Sequence, residues 1–180
     1  SDTKHRTAEY VEEGIPIISP SEVSKKGLDV ENANRTTDEE YSDLIEDGRK
    51  PTKGDIIYSR NASVGDAALV RSNRKMCMGQ DVCLIRSDYG EYLYYLLNSS
   101  IVTQQVEYRS VGATFSRINI SDIEELEIPI PPEQEKKSVT ETIEKHIRRN
   151  DKAEKIIQKL EENIQEKRKS LISKAITGQI

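Results

Sequence analysis

The sequence contains few of the residues that usually form metal sites. Among its 180 residues are two cysteines, two histidines, one phenylalanine and no tryptophan. Long stretches of chain separate Cys77 and Cys83 from His5 and His146, so these four residues do not have the spacing of a zinc site. We expect two reduced, packed thiols and no metal ion.

Long apolar runs are also absent. No run approaches the roughly 20 apolar residues of a membrane span, and the first residues lack the basic-then-apolar pattern of a secretory signal. Charged residues make up 33% of the chain and the mean hydropathy is -0.71. This composition predicts a cytoplasmic protein with one globular domain of ordinary size and an additional, solvated segment.

Glycine and proline are missing between Pro132 and Gly178. Apolar residues recur there at steps of four and three, the pattern of one long helix with a narrow apolar seam. Such a seam predicts a partner helix. About 40 residues at 1.5 Å each give a rod of roughly 60 Å, which suits a spacer or a dimerisation device. Asn150 and His146 interrupt the seam, and an asparagine in such a position usually fixes register or partner choice. The predicted dimer-helix residues are Val139, Ile143, His146, Asn150, Ala153, Ile157, Leu160 and Ile164.

Charge is distributed unevenly along the chain. From Glu133 to Lys174 there are twelve basic and nine acidic residues, a net charge of +3. The remainder of the 27 basic and 32 acidic residues is fifteen and twenty-three, a net charge of -8. Such a balance excludes a nonspecific polyanion binder for the whole chain. An acidic domain can still bind DNA if its basic side chains converge on one surface, so net charge leaves the ligand open.

Residues 1–131 have the pattern of short strands, turns and a few helices. Apolar runs at 14–18, 53–58, 67–70 and 77–85 indicate strands, and the spacing at 38–47 and 91–109 indicates helices. Residues 126–130 resemble an edge strand whose pairing Pro129 restricts. We therefore predict an α+β domain of short mixed strands and helices over 1–131. After a hinge at Pro131 and Pro132, one long α-helix over 132–180 would follow and pair with a partner helix.

Four segments of the sequence occur in an order that is found in one protein family. They are residues 53–65 (KGDIIYSRNASVG), 112–120 (GATFSRINI), 126–135 (LEIPIPPEQE) and 169–178 (KSLISKAITG) at the end of the long helix. Together they resemble the specificity subunits of type I restriction-modification systems. A complete subunit of that family has two target recognition domains, each followed by a helix, and the two helices form an antiparallel coiled-coil spacer. The resemblance implies one half of such a subunit. It also implies a chain that begins inside the half, because the usual opening strand and helix are missing.

The resemblance implies sequence-specific recognition of one part of a bipartite DNA site, without catalysis. In that family, methyltransferase subunits bind S-adenosylmethionine and methylate adenine, and restriction subunits translocate and cleave DNA. The implied partners are double-stranded DNA, methyltransferase subunits and restriction subunits, and the long helix would pair with a second copy of this chain or with a different half subunit. The sequence agrees with this division of functions. It has no Gly-x-x-x-x-Gly-Lys-Ser/Thr loop, which would bind phosphate. An amino-methyltransferase would have Asn or Asp before a Pro-Pro pair, whereas Ile130 precedes the pair in this sequence. We therefore expect no catalytic residue and no cofactor in this chain.

Three polar segments carry the side-chain types that contact DNA. Arg bonds guanine and Asn bonds adenine in bidentate fashion, whereas Ser, Thr and Lys hold phosphates. In segment 59–65, Arg60 and Asn61 are the best candidates to read bases; the alternative is a polar turn whose Arg pairs with a nearby carboxylate. A second segment surrounds Gly112. For the third, 34–37, a loop that caps the next helix is the better interpretation from residues alone. The candidate DNA contacts are Arg60, Asn61, Ser59, Ser63, Lys53, Arg35, Thr37, Arg109, Thr114 and Arg117.

Two rival functions remain open at this point. The chain can be a coiled-coil adaptor whose acidic front domain binds protein, or the detached recognition module of a fused restriction-methyltransferase. Duplex-DNA binding measured with and without methyltransferase subunits separates an adaptor from a DNA-recognition protein.

Overall fold

The structure is a computed structural model that describes residues 8–110 and 117–178. Packing divides the chain into two units, Ser1–Pro131 and Pro132–Ile180. We call them the front unit and the helical unit. Within the described residues, no helix is both long enough and apolar enough to cross a membrane.

The front unit is built around strand β5 (Ile56–Ser59), which lies between β6 (Ala67–Leu69) and β8 (Val82–Ile85) in an antiparallel sheet. Every residue of β5 is buried. Ile56 and Tyr58 pack into one hydrophobic cluster and Ile57 into another, because successive side chains of a strand point to opposite faces. The sheet therefore has core on both sides, which explains why this strand is a nearly continuous apolar run in the sequence.

A second sheet has the strand order β4-β1-β7. Strand β1 (Ile15–Ile18) pairs antiparallel with β4 (Arg35–Thr36) and parallel with β7 (Cys77–Met78). Between β1 and β4, β2 (Val23–Ser24) and β3 (Gly27–Leu28) form a short hairpin. Gly79 follows β7, and a Cβ atom at this position would lie 2.5 Å from Ser19 Oγ and 2.9 Å from Ile17 Cγ2. Only glycine allows the chain to approach β1 this closely before it turns into β8.

Four helices complete the described part of the front unit: α1 (Asp38–Leu44), α2 (Gly90–Leu97), α3 (Ser100–Ser110) and α4 (Ile120–Glu124). The single helix predicted over 91–109 is divided into α2 and α3. The division occurs at Asn98, whose side-chain amide accepts from Ala67 N at 3.1 Å and donates to Ala67 O at 3.0 Å. Asn98 thereby satisfies the edge of β6. The apolar spacing continues across the break, so periodicity did not reveal it.

The edge strand predicted over 126–130 is not present as a strand. The Gln105 side chain takes the place of a neighbouring strand for this segment. Its amide donates to Glu127 O at 2.8 Å and accepts from Glu127 N at 2.9 Å. One side-chain amide therefore satisfies both main-chain groups of this residue, and no strand partner is needed.

The helical unit is one helix, α5 (Glu133–Ile176), of 44 residues. At 1.5 Å per residue it is roughly 66 Å long. The prediction of a mixed domain followed by one long helix is confirmed. Large apolar side chains along α5 remain exposed, among them Val139 at 37%, Ile157 at 56%, Leu160 at 54% and Ile164 at 63%.

Candidate nucleic-acid interface

Three segments of the front unit meet at one end of β5. The pairing of β5 with β8 ends at Ser59 and Val82, and one further bond, from Arg60 N to Asp81 O at 2.8 Å, extends it. Ile118 N donates to Arg60 O at 3.0 Å from the opposite side. We call this meeting of segments the loop junction; it consists of residues 59–65, 79–81 and 117–118.

Arg60, predicted to read a base, is buried inside this junction. Its side chain is 4% exposed, and Nε donates to Ile118 O at 3.3 Å. To reach a base edge the guanidinium would have to leave that carbonyl unsatisfied in a buried position, which is costly. The geometry therefore disfavours base reading by Arg60. The Arg60 side chain instead joins two segments that are 58 residues apart in the sequence.

Ser59 is likewise placed in the interior, whereas Ser63 is at the surface. Ser59 is 0% exposed, and its Oγ donates to Asn61 O at 2.9 Å. Ser63 is exposed, and its carbonyl accepts from Asp66 N at 3.1 Å in the turn that leads back to β6. Of the two serines predicted to contact DNA, only Ser63 is positioned to meet a ligand without a rearrangement.

Two other predicted contacts, Asn61 and Arg117, are brought together across 56 positions of sequence. They form an isolated antiparallel bridge. The Asp81 carboxylate lies between their side chains: Asn61 Nδ2 donates to Oδ2 at 3.3 Å, and Arg117 Nη2 lies 3.2 Å from Oδ1. The Arg117 side chain is 45% exposed and that of Asp81 is 27% exposed. This cluster presents an amide and a guanidinium side by side at the surface.

The main chain of the junction is held in an unusual conformation at two places. Ala62 (φ 58) and Asp81 (φ 61) both have left-handed backbones without being glycine. Such residues cost free energy and persist where the surrounding contacts determine them. Here those contacts are the bond from Ala62 N to Asn61 Oδ1 at 2.8 Å and the bond from Arg60 N to Asp81 O. These two hydrogen bonds hold the main chain of the junction in this conformation.

Sequence reasoning missed Asp81 as a member of this site. Its signal is slight, a Gly-Gln-Asp turn between two apolar runs. Its position is revealed only by the pairing of β5 with β8, which brings the turn beside Asn61.

The tip of the β2–β3 hairpin adds positive charge near the junction. Burial raises the pKa of Asp66, at the foot of the loop, and the ammonium of Lys25 opposes this rise, so Lys25 lies close to that carboxyl group. Lys25 and Lys26 are exposed. Among the described residues neither lysine forms an ion pair, so both are available to a phosphate group.

Lys53, predicted to hold phosphate, lies at the opposite end of β5 from the junction. The strand begins at Ile56, after the turn that contains Lys53, and the junction begins where the strand ends. The Lys53 side chain is exposed, and its main-chain N–H donates to Asn73 Oδ1 at 3.0 Å. A contact by Lys53 would require a ligand that extends along the whole strand.

The remaining predicted contacts are dispersed. Arg109 Nη2 donates to Glu125 O at 3.0 Å, and Arg35 Nη1 donates to Gly14 O at 3.3 Å. Thr37 is the N-cap of α1, where its side chain accepts from Glu40 N at 3.2 Å, as the capping interpretation of segment 34–37 expects. Thr114 lies outside the described residues. Of the predicted contacts in the described residues, the loop junction contains Ser59, Arg60, Asn61, Ser63 and Arg117, and it does not contain Arg35, Thr37, Lys53 or Arg109.

The described residues contain no group of three or more His, Cys, Asp or Glu side chains that could hold a metal ion. Burial raises the pKa of the Cys77 thiol to about 12, which makes it a poor nucleophile and metal ligand. What the loop junction offers is hydrogen bonding and charge from the side chains of Asn61 and Arg117.

The sequence model of one family, described as the type I restriction modification DNA specificity domain, matches residues 2–162. The chain belongs to this family.

Two curated relatives accord with this membership. The chain is 30% identical, over 130 residues, to the putative type I restriction enzyme MjaX specificity subunit of Methanocaldococcus jannaschii. It is 29% identical, over 119 residues, to the MjaIX specificity subunit of the same organism. These matches cover 70% and 62% of this chain but 29% and 28% of the relatives, so the chain spans less than a third of their length.

The solved structures share the fold at low sequence identity. An HsdS subunit from Thermoanaerobacter tengcongensis matches with a TM-score of 0.58 and 19% identity over 85% of this chain and 41% of its own. A chain from a structure described as the basis of complex assembly and conformational transition of the type I R-M system matches with a TM-score of 0.60 and 17% identity. It covers 83% of this chain and 38% of that one. For this DNA specificity domain, the loop junction brings together Asn61 and Arg117, two side chains of the types that read bases.

Proposed function

We propose that this chain is a half specificity subunit that recognises a DNA sequence for a type I restriction-modification complex. The observation that carries the proposal is the family match over residues 2–162. The loop junction supports it, because Asn61 and Arg117 are the side-chain types that read adenine and guanine. In this proposal the chain performs no chemistry of its own and uses no cofactor.

Within the proposal, the junction meets the major groove. Asn61 and Arg117 contact base edges, Ser63 and Lys25 contact phosphate, and Lys53 contacts phosphate further along the duplex. Acidic residues that lie outside the loop junction do not oppose this arrangement. Four of them, Asp38, Glu39, Glu40 and Asp43, are in α1. A local cluster of cations can therefore bind DNA on a unit whose net charge is negative.

The helical unit supplies the proposed spacer and dimer contact. Two copies of α5 would pair antiparallel with Asn150 opposite Ala153 and His146 opposite Ile157. Exposed apolar side chains along the seam support this pairing, because isolated helices with such a seam bury it against a partner. Two identical front units related by a two-fold axis would then recognise an interrupted palindrome.

The proposed assembly includes methyltransferase subunits, which modify the recognised site, and restriction subunits, which act on unmodified DNA. Two of the chain's relatives are specificity subunits of type I restriction enzymes, and this supports the partners proposed here. A cytoplasmic location follows from such a ligand and such partners and belongs to the same proposal.

The experiment is to express the chain with its methyltransferase subunits and to sequence the methylated positions in cellular DNA. The proposal predicts methylation at a bipartite, inverted-repeat site. Binding of the purified complex to that duplex and to a random duplex then measures discrimination. If the complex binds no duplex, or if the chain binds only a protein partner, the adaptor function replaces DNA recognition.

Two substitutions separate specificity from general affinity. Arg117→Ala should lose roughly 1–3 kcal/mol of binding free energy on the recognised site and relax discrimination at one base pair. Lys53→Ala should weaken all sequences alike and flatten the dependence of log affinity on log salt by about one unit. Lys152→Ala, an exposed residue of α5, serves as a control for the loss of one positive charge. If Arg117→Ala lowers the affinity for recognised and random DNA by equal factors, this result contradicts base reading by Arg117.

A further inference from the structure

A carboxylate at a surface that binds DNA requires an explanation, because DNA phosphates repel it. Asp81 lies between the two side chains proposed to read bases, 3.3 Å from Asn61 Nδ2 and 3.2 Å from Arg117 Nη2. Its backbone is left-handed at φ 61, and its carbonyl accepts from Arg60 N at 2.8 Å. Three separate contacts therefore place this carboxylate at the centre of the loop junction.

The geometry of the cluster determines what the carboxylate does to each neighbour. One oxygen contacts the amide of Asn61 and the other contacts the guanidinium of Arg117, so both side chains are oriented by a single group. The carboxylate also neutralises Arg117 in the free protein. A phosphate of random DNA must then compete with Asp81 for the guanidinium, whereas a guanine in register offers two bonds to the same group.

We propose that Asp81 is a specificity-determining positioning residue, which holds Asn61 and Arg117 in place and withholds the charge of Arg117 from random phosphate. This inference rests on the proposed function of the junction. Asp81 lowers the affinity for random DNA more than the affinity for the recognised site, because only the recognised site offers Arg117 a better partner. Specificity is thereby increased by weakening the wrong complexes.

Asp81→Asn is the variant that tests this role. Asparagine tolerates the left-handed backbone, and its amide oxygen can still accept from Asn61 Nδ2, so the junction keeps its shape. Only the negative charge opposite Arg117 is lost. All eight tyrosines lie in the front unit, so near-ultraviolet circular dichroism of the full chain reports whether this unit remains folded.

The measurement is the affinity of the complex with methyltransferase subunits for the recognised duplex and for a random duplex, across a series of salt concentrations. Asp81→Asn should bind random DNA about two- to five-fold more tightly, the factor that corresponds to releasing one partly exposed ion pair. Its salt dependence on random DNA should be steeper by about one unit. Affinity for the recognised duplex should change less, so discrimination falls.

Two controls isolate the contact from the change in net charge. Glu144→Gln breaks an ion pair on α5, with Arg148 at 3.1 Å, in which the carboxylate side chain is 26% exposed. It should leave binding to random DNA unchanged. In an Arg117→Ala background, Asp81→Asn should no longer tighten random binding or steepen its salt dependence, because the released guanidinium is absent.

The outcomes separate this inference from the function on which it rests. If the wild-type complex does not discriminate between recognised and random DNA, the proposed function fails, and the inference fails with it. If the wild type discriminates but Asp81→Asn leaves random affinity unchanged, the inference alone is overturned. It is also overturned if Glu144→Gln tightens random binding equally, or if the effect of Asp81→Asn persists without Arg117.

Discussion

Pairing of α5 with a second copy can be tested by charging its seam. In the antiparallel register that places Asn150 opposite Ala153, Ile157 of one copy meets His146 of the other and Leu160 meets Ile143. Replacing both Ile157 and Leu160 by Asp changes four side chains per dimer. We expect the double variant to be monomeric at concentrations at which the wild-type chain is a dimer.

The expected magnitude follows from the exposed fractions of the seam. Val139, Ile157, Leu160 and Ile164 are 37%, 56%, 54% and 63% exposed on α5. Full burial of such a side chain stabilises by about 1.5–3 kcal/mol, so covering the exposed half contributes roughly 1 kcal/mol each. Ile157 and Leu160 therefore contribute roughly 4 kcal/mol per dimer, and their loss alone should raise the dissociation constant about 1,000-fold. Buried carboxylates without partners raise it further.

The assay is sedimentation equilibrium of the full chain over a wide range of concentrations. Far-ultraviolet circular dichroism reports the helix content, and near-ultraviolet circular dichroism reports the tyrosines of the front unit. The matched control is Gln158→Asp with Gln165→Asp, which adds two carboxylates one position beyond the seam and loses at least as much helix propensity. This control should remain a dimer.

Two results would refute the reasoning. An Ile157→Asp, Leu160→Asp variant that still sediments as a dimer would exclude this seam as the interface. A control variant that dissociates to the same extent would show that helix stability, rather than burial of the seam, determines association.

Two further predictions concern the front unit. Arg60→Ala should lower the free energy of unfolding by roughly 1–3 kcal/mol in urea titrations followed by tyrosine circular dichroism, because Ile118 O loses a buried donor. It should reduce affinity for recognised and random DNA by equal factors; a selective loss on the recognised site at wild-type stability would restore base reading by Arg60. Asp66→Asn should gain stability relative to wild type as pH rises above the ordinary carboxyl pKa of 3.8, since burial raises the pKa of Asp66 and the ionised form is disfavoured in the folded state. Urea titrations at intervals from about pH 3 to pH 8 measure the difference, and a difference that does not change with pH would contradict this account.

The elements that the sequence predicted well are those determined by local spacing. The seam of α5 repeats over many turns without glycine or proline, so the period alone defines the helix. Strand β5 is similarly evident, because all four of its residues are buried and three of them are large and apolar. In both cases the residues that determine the element are neighbours in the sequence.

The elements that the sequence did not reveal are determined by partners far along the chain. Asn98 interrupts a helical pattern because the edge of β6 needs its amide, 31 residues away. Arg60 is buried because Ile118, 58 residues away, supplies its acceptor. A polar residue after a strand suggests an exposed loop, and only the tertiary fold shows that another segment covers it. For the same reason the sequence predicts the junction only in part. The chemical types of Asn61 and Arg117 indicate DNA contacts, whereas the type of Asp81 does not.

The charges of the junction also explain why recognition by one front unit alone would be weak. Arg60 is used inside the fold and Arg117 is paired with Asp81, so attraction of phosphate near the loop junction depends on exposed lysines such as Lys25 and Lys26. Nonspecific attraction, which supplies much of the affinity of most DNA-binding proteins, is correspondingly small for this unit. A second copy held by α5, or a methyltransferase subunit that contacts the flanking backbone, would supply the missing affinity by raising the effective concentration of the first copy at its half-site. Such an arrangement predicts that the monomeric Ile157→Asp, Leu160→Asp variant loses DNA binding even though its loop junction is unchanged.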